Sequence, residues 1–331
     1  MATFNKIRLP ELRPQLREMR AALARQASAR LTPERALRRR VAGKWVLITG
    51  ASTGIGEVLA WRLAGAGARL ILVARSQDKL EAMVGRIRAQ GGTAIACSAD
   101  LANLDECDRV AREVQETVGA VDILVNNAGR SIRRSALLTV DRFHDYQRAM
   151  QLNYFGAVRL ALGLLPAMKD NGGGHIINVS TLGIQTSPAR FSAYLASKGA
   201  LESWTRSVAN ELAHHSIWFS LINLPLVRTP MIAPTEIYRR APAISPEEAV
   251  DRICKAIITR QKRVISSLGL GAEAIWMFAP RVAETIVNAG YQVTPESSAV
   301  LGDEPETKHA RIARLRPVKK PRPHQGASDQ S

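Results

Sequence analysis

The sequence predicts an α/β fold: a single domain with a doubly wound parallel sheet, a basic N-terminal helical extension and a disordered charged tail at the C-terminus. Two observations predict it. Short apolar runs alternate strictly with helical stretches between residues 45 and 222, and strict alternation implies a parallel sheet covered on both faces. The chemistry-bearing residues all fall just after those runs: the glycine cluster at 50–56, Arg75, Asp100, Asn126, Ser180 and Pro225. In such sheets ligands bind beyond the carboxyl ends of the strands.

The elements follow in order. Strands are expected at 45–49, 70–74, 93–98, 121–125, 175–179 and 217–222, with a short last one at 264–266. Helices are expected from the glycine cluster to 67, at 78–90, 104–118 and 142–169, and from Tyr194 to about 214. Ser245-Pro246-Glu247-Glu248 starts a further helix, with Ser as N-cap, Pro at the first helical position and Glu in the first turn. Four regions result: a basic amphipathic extension at 1–43, the catalytic domain at 44–268 with a proline-interrupted flap at 226–240, an apolar helical segment at 269–301, and the tail at 302–331.

The chain has 331 residues and a formal charge of +17, much of it terminal. Residues 1–43 hold eleven Lys and Arg against three Glu, and residues 302–331 hold seven against four acidic residues. Leu12, Leu16, Met19 and Leu23 recur at helical spacing, with arginines on the other face. This points to an anionic membrane surface as a partner of residues 1–40. The alternative is a helix packed on the domain or on another subunit. The basic termini lack interleaved aromatics, so nucleic acid is not expected. There is no secretory signal and no run of about 18 uncharged apolar residues. Cys97, Cys107 and Cys254 are too scattered for a disulfide framework or a zinc site. The expectation is a cytoplasmic protein without a metal, peripheral on the inner face of the membrane and homo-oligomeric.

Gly50, Gly54 and Gly56 permit a tight turn and close approach of a pyrophosphate to a helix N-terminus. Tyr194 and Lys198 are four apart on one helical face, where the ammonium can lower the phenol pKa toward neutrality. At the end of the second strand stand Ala74 and Arg75. No carboxylate is there to bind a ribose 2′-hydroxyl, and Arg75 can pair with a 2′-phosphate, which predicts NADPH over NADH.

Thr49 through Gly56, Asn126-Asn127-Ala128-Gly129, Ser180 and the Tyr194-x-x-x-Lys198 pair together resemble the short-chain dehydrogenase/reductase family. The resemblance runs in register from about residue 44 to 229 and implies a Rossmann-type fold. It implies that Tyr194 is the proton donor and that Lys198 tunes it and binds the nicotinamide ribose. Ser180 would polarise the substrate carbonyl, and Asn153 would hold a relay water. For the cofactor it implies Gly50, Ser52, Thr53, Gly54, Ile55, Gly56, Arg75, Asp100, Leu101, Asn126, Ala128, Gly129, Tyr194, Lys198, Pro225, Val227 and Thr229. Where the family often has Pro-Gly, this chain has Pro225-Leu226.

Within the family, residues 126–134, 141–160 and 225–235 resemble bacterial fatty acyl-CoA reductases. That implies hydride transfer to the thioester of a long-chain acyl-CoA, releasing aldehyde and CoA. Arg130, Arg133 and Arg134 can bind CoA phosphates or pair with carboxylates such as Asp141 and Asp145. The competing readings are a reductase of a ketone or aldehyde on a lipid or sterol-like substrate, and a non-catalytic membrane-binding module.

Overall fold

The computed structural model describes residues 32–232, 238 and 241–294. The amphipathic segment before residue 32 and the charged tail after 294 lie outside the described residues, as does most of the flap between 233 and 240.

The first described helix, α1 (Pro33–Val41), starts as the sequence predicts: Thr32 is the N-cap, its side chain accepting from the Arg35 amide, and Pro33 opens the first turn. Its Leu37 and Val41 are buried in the main core cluster, and Arg40 donates to the Ile257 carbonyl at 3.2 Å. The last helix of the expected N-terminal extension is therefore seated on the domain.

The sheet then forms by alternation. Strand β1 (Trp45–Thr49) leads to α2 (Gly54–Gly65), β2 (Arg69–Ala74) to α3 (Gln77–Ala89), and β3 (Thr93–Ser98) to α4 (Leu104–Val118). Strand β4 (Ile123–Asn126) is followed by a loop, then α5 (His144–Met150), a π-helical turn (Gln151–Gly156) and α6 (Ala157–Asp170). Next come β5 (Gly174–Thr181), the one-turn α7 (Gly183–Thr186), α8 (Ser192–Glu211) and β6 (Ile217–Leu224). The chain continues through α9 (Pro246–Thr259), β7 (Arg263–Val264), α10 (Ser267–Phe278) and α11 (Pro280–Val293).

All seven strands run parallel in the order 3-2-1-4-5-6-7. The strand order reverses between β1 and β4, which opens a crevice at their carboxyl ends. Leu47, Ile48, Leu70, Leu72, Leu124 and Ile177 are fully buried within the sheet, two-sided burial that makes these strands apolar throughout. Two core clusters fill the two faces, one under α1, α2, α3 and α9, the other under α4 and α6.

Two expected helices are subdivided. The stretch 142–169 contains a π turn, and the late apolar helix breaks at Ala279, where Pro280 opens a new helix. No described helix is long and apolar enough to cross a membrane.

Candidate active site

Gly50 and Gly54 have φ of +66° and +60°, conformations that side chains resist. The space is also closed to a Cβ: at Gly56 it would meet the Gly50 carbonyl oxygen at 2.2 Å, and at Gly54 the Thr229 methyl at 3.1 Å. The turn is clamped to the neighbouring strand through Thr49, whose Oγ1 accepts from the amides of Asn127 and Ala128, both at 2.9 Å. Asn127, not singled out in the sequence, returns the clamp by donating to the Thr49 carbonyl at 3.0 Å.

A nicotinamide dinucleotide fits this crevice on three observations. The first turn of α2 has no side-chain cap, because Thr53 makes no capping bond, so its amides are left for an anion. The buried Asn126 Oδ1 has no hydrogen-bond partner, although Asn126 Nδ2 donates to Asn178 at 2.8 Å. Arg75 is exposed at the end of β2, with Asp100 exposed beside it after β3. Arg130 joins them: its pKa is lowered by burial first, then by Arg148 and Arg75, while Asp100 opposes. Arg130 thus lies within the electrostatic reach of Arg148, Arg75 and Asp100.

Other expected cofactor contacts are placed differently. The Leu101 and Val227 side chains are buried in the two core clusters, and Ile55 packs against one of them. These side chains shape the crevice from beneath. Ser52, Ala128, Gly129, Pro225 and Thr229 are partly exposed, and Thr53 is fully exposed.

The candidate catalytic pair is built on α8. Tyr194 and Lys198 share its inward face. Lys198 Nζ donates to the Val179 carbonyl at 2.8 Å, and burial lowers its pKa to about 8, with Glu202 acting in the opposite direction. Tyr194 is pushed up to about 12 by burial, while a hydrogen bond with Thr181 pulls it down. The expectation that Lys198 lowers the phenol pKa is thus corrected. Burial is the largest influence on the phenol, the lowering comes from Thr181, and the ammonium is held by a backbone carbonyl.

A second correction concerns the hydroxyl. Ser180 Oγ donates to Glu202 at 2.6 Å, whereas the Thr181 side chain is the one bonded to Tyr194. The two are neighbours on β5, and successive strand residues aim differently. Thr181 Oγ1 also accepts from the Gly183 amide at 3.0 Å, which leaves its own proton to donate.

Asn153 is fully buried in the π turn, an irregularity often found at functional sites. Its Oδ1 accepts from the Arg130 amide at 2.7 Å, and its Nδ2 donates to the Arg130 carbonyl at 2.9 Å and to Ser197 at 2.8 Å. The side chain braces the loop after β4 and is already engaged by protein. A Cβ on Gly129 would lie 3.3 Å from Asn153 Oδ1 and 3.5 Å from Lys198 Nζ, so the glycine lets loop and helix close together.

The three arginines after β4 separate. Arg134 is withdrawn into the protein, its Nε 3.0 Å from the buried Asp145, which also has Arg142 at 3.5 Å and Arg148 at 4.0 Å. Arg134 is a structural ion-pair residue, not a phosphate ligand. The Arg133 charge acts on Tyr238, whose ring stacks 6.5 Å from Phe191, itself 6.4 Å from Tyr194. Tyr238 on the flap therefore borders the site, and nothing in its sequence context marked it. The base of the flap is pinned where Arg228 and Ile244 pair.

A cleft of about 440 Å³ lies between the loop after β4, the Arg190 turn and α10–α11. Ala136, Leu137, Trp276, Val287 and Tyr291 line it. Arg190 closes one side, donating to Thr294 at 3.0 Å with its guanidinium 4.1 Å from the Tyr291 ring centre. The three thiols are all buried, and burial raises Cys107 to about 11 and Cys254 to about 12, which leaves no activated sulfur nucleophile among them.

The parallel sheet, the glycine turn and the Tyr194–Lys198 pair define a nicotinamide-dependent oxidoreductase. Residues 44–238 match the short-chain dehydrogenase model, and the chain belongs to the short-chain dehydrogenase/reductase family. A fatty acyl-CoA reductase of Acinetobacter baylyi is 47% identical over 271 residues, 82% of this chain and 92% of that protein. A fatty acyl-CoA reductase of Mycobacterium tuberculosis is 40% identical over 241 residues, 72% of this chain and 82% of the relative. Among solved structures, L-sorbose reductase of Gluconobacter frateurii complexed with NADPH and L-sorbose has a TM-score of 0.62 at 28% identity, covering 68% of this chain and 95% of that one.

Proposed function

We propose that this protein is an NADPH-dependent reductase of long-chain fatty acyl-CoA that releases fatty aldehyde and CoA. The observation that carries the reading is the Tyr194–Lys198–Thr181 group, taken together with a largely apolar cleft of about 440 Å³ between the loop after β4, the Arg190 turn and α10–α11. The 47% identity to a fatty acyl-CoA reductase supports the same substrate class. Reduced nicotinamide supplies the hydride when bound. The Gly50–Gly54–Gly56 turn and the α2 amides would hold its pyrophosphate, and Arg75, with Arg130 adding positive charge, would hold the 2′-phosphate.

The chain's own groups do the rest. The Thr181 hydroxyl donates to the thioester oxygen and polarises the carbonyl. Tyr194 delivers the proton to that oxygen, its phenol being neutral at ordinary pH. Lys198 supplies positive charge beside the ribose. The resulting hemithioacetal collapses to aldehyde and thiol, a sequence that needs no cysteine nucleophile. Arg133, whose charge acts on Tyr238 of the flap, is assigned to the CoA phosphates, and the cleft takes the acyl chain.

A lipid substrate also accords with the outer surface. Met277, Phe278, Val282 and Ile286 expose large apolar side chains around the turn between α10 and α11, Phe278 at 82%. A peripheral seat on anionic membrane, aided by the basic terminal segments, and self-association through Phe155 and Leu162 complete the reading. The deciding experiment offers NADPH with a panel of acyl-CoA thioesters and lipid ketones. Thiol release with long acyl chains is expected. Turnover of a ketolipid without any thiol release selects the carbonyl-reductase alternative.

A further inference from the structure

Glu202 lies one turn beyond Lys198 and two beyond Tyr194 on the same face of α8, and is only 2% exposed. Its Oε1 accepts from Ser180 Oγ at 2.6 Å and from Asn223 Nδ2 at 2.5 Å. Those two donors tie the carboxylate to β5 and β6, directly behind the catalytic group. Two neutral donors are satisfied as well by an amide or a hydroxyl, so they do not by themselves require a buried charge.

Lys198 supplies what requires one. Its ammonium is buried, and the hydrogen-bond acceptor it has is a neutral backbone carbonyl. A desolvated cation is costly unless an opposite charge acts on it. We infer that Glu202 is a positioning residue whose carboxylate keeps Lys198 in its cationic form within the nicotinamide site.

The surrounding charges leave Glu202 in that role. From α8 itself Tyr194 faces the site with a neutral phenol, and Tyr238 approaches from the flap. From β7, Arg263 donates to Asn223 at 3.2 Å, but its guanidinium is bound to Glu273 of α10 at 3.0 Å. From β5 and β6 the neighbours are the uncharged Ser180, Thr181 and Asn223.

The inference rests on the cofactor reading only in part, because one test needs no cofactor. Lys198 has a folded pKa near 8, below its ordinary 10.5, so the folded state gains stability as pH rises from about 8 toward 10.5. Without Glu202 that window should open about one pH unit lower. Urea unfolding of wild type and Glu202→Gln between about pH 6 and pH 9 reads this directly. The cost of the substitution should be larger at the acid end and shrink as Lys198 becomes neutral. A cost independent of pH overturns the inference. If the amide impairs folding, Glu202→Met removes the charge with a side chain of similar length and carries the same expectation. In a second arm, NADPH binding is followed by nicotinamide fluorescence. Affinity should fall with rising pH, about one unit earlier in Glu202→Gln than in wild type, while Ser180→Ala keeps the wild-type profile. An equal shift in Ser180→Ala overturns the inference, since the hydrogen bond and not the charge would then govern. Failure of wild type to bind NADPH at any pH refutes the cofactor reading and leaves the unfolding arm to decide on Glu202.

Discussion

The glycine turn and the cleft beside α11 differ in what holds them. Around Gly50–Gly56 the backbone does the work: left-handed glycines, uncapped amides and a Thr49–Asn127 clamp within 3.0 Å. Around the cleft, side chains do it: a buried Asp145 ringed by arginines, an Arg190–Tyr291 stack and a flap tyrosine. A backbone site tolerates few sequences, whereas a side-chain site can be built in many ways. On the proposed function, the first half sets the cofactor chemistry and the second selects the carbonyl.

The largest expected effect comes where the halves meet. Tyr194→Phe should lower kcat for acyl-CoA reduction by about 10³-fold, because the proton donor is lost. NADPH affinity should stay within a few-fold of wild type, and steady-state kinetics with cofactor titration reads both. Retained turnover would break the assignment of the phenol as acid.

The acyl half is probed next through its buried ion pair. Asp145→Ala leaves Arg134 charged and buried, which should cost about 3 kcal/mol. For a domain of this size that lowers Tm by roughly 10 °C. Calorimetry showing an unchanged Tm would return Arg134 to the pool of substrate-binding arginines.

The two hydroxyls at the end of β5 give a finer comparison. Thr181→Val should reduce kcat by about 10²-fold, as loss of a carbonyl-polarising donor does. Ser180→Ala should reduce it by less than about 10-fold, since that hydroxyl serves Glu202. The reverse ranking would restore Ser180 as the catalytic hydroxyl.

The smallest effect is a pH slope in the sheet beneath both halves. His175 is buried with Nε2 2.8 Å from Ser220 Oγ, and burial, aided by Arg260 and Arg40, lowers its pKa to about 3. The unfolded chain binds the extra proton below about 6.5, so stability falls as pH drops through that value toward 3. The slope is at most about 1.4 kcal/mol per pH unit. Urea unfolding at pH 7 and pH 5 should show the loss, and His175→Gln should flatten it. Equal slopes in both proteins would assign the acid sensitivity elsewhere.

How legible each half was follows from the same difference. Gly50, Gly54, Gly56, Asn126 and the Tyr194–Lys198 spacing stand out in sequence because phosphate cradling and a helix face dictate residue type and interval. Seven strands fall close to the expected positions because apolar runs between helices are unambiguous when both faces are buried. Ser180 and Thr181 could not be separated that way. Both end a strand, and only their aim toward Glu202 or Tyr194 tells them apart. Arg130, Arg133 and Arg134 read as one basic patch, yet the fold pairs Arg134 with the buried Asp145 while the Arg130 backbone is held by Asn153. Leu101 and Val227 matched a motif, but the core takes their side chains. The flap at 226–240 and the apolar segment after 269 stood out by their prolines and apolar runs, but which side chains they contribute, Tyr238, Val287 and Tyr291, is set by tertiary packing.

Reduction of a thioester with NADPH has a stoichiometry that ketone reduction lacks. Its most direct test follows NADPH oxidation and free CoA thiol together during turnover of a long-chain acyl-CoA, with the aldehyde trapped as it forms. The account predicts one thiol and one aldehyde for each NADPH oxidised, and none of the three with Tyr194→Phe. NADPH oxidation without thiol release, or thiol release undiminished in Tyr194→Phe, would contradict it.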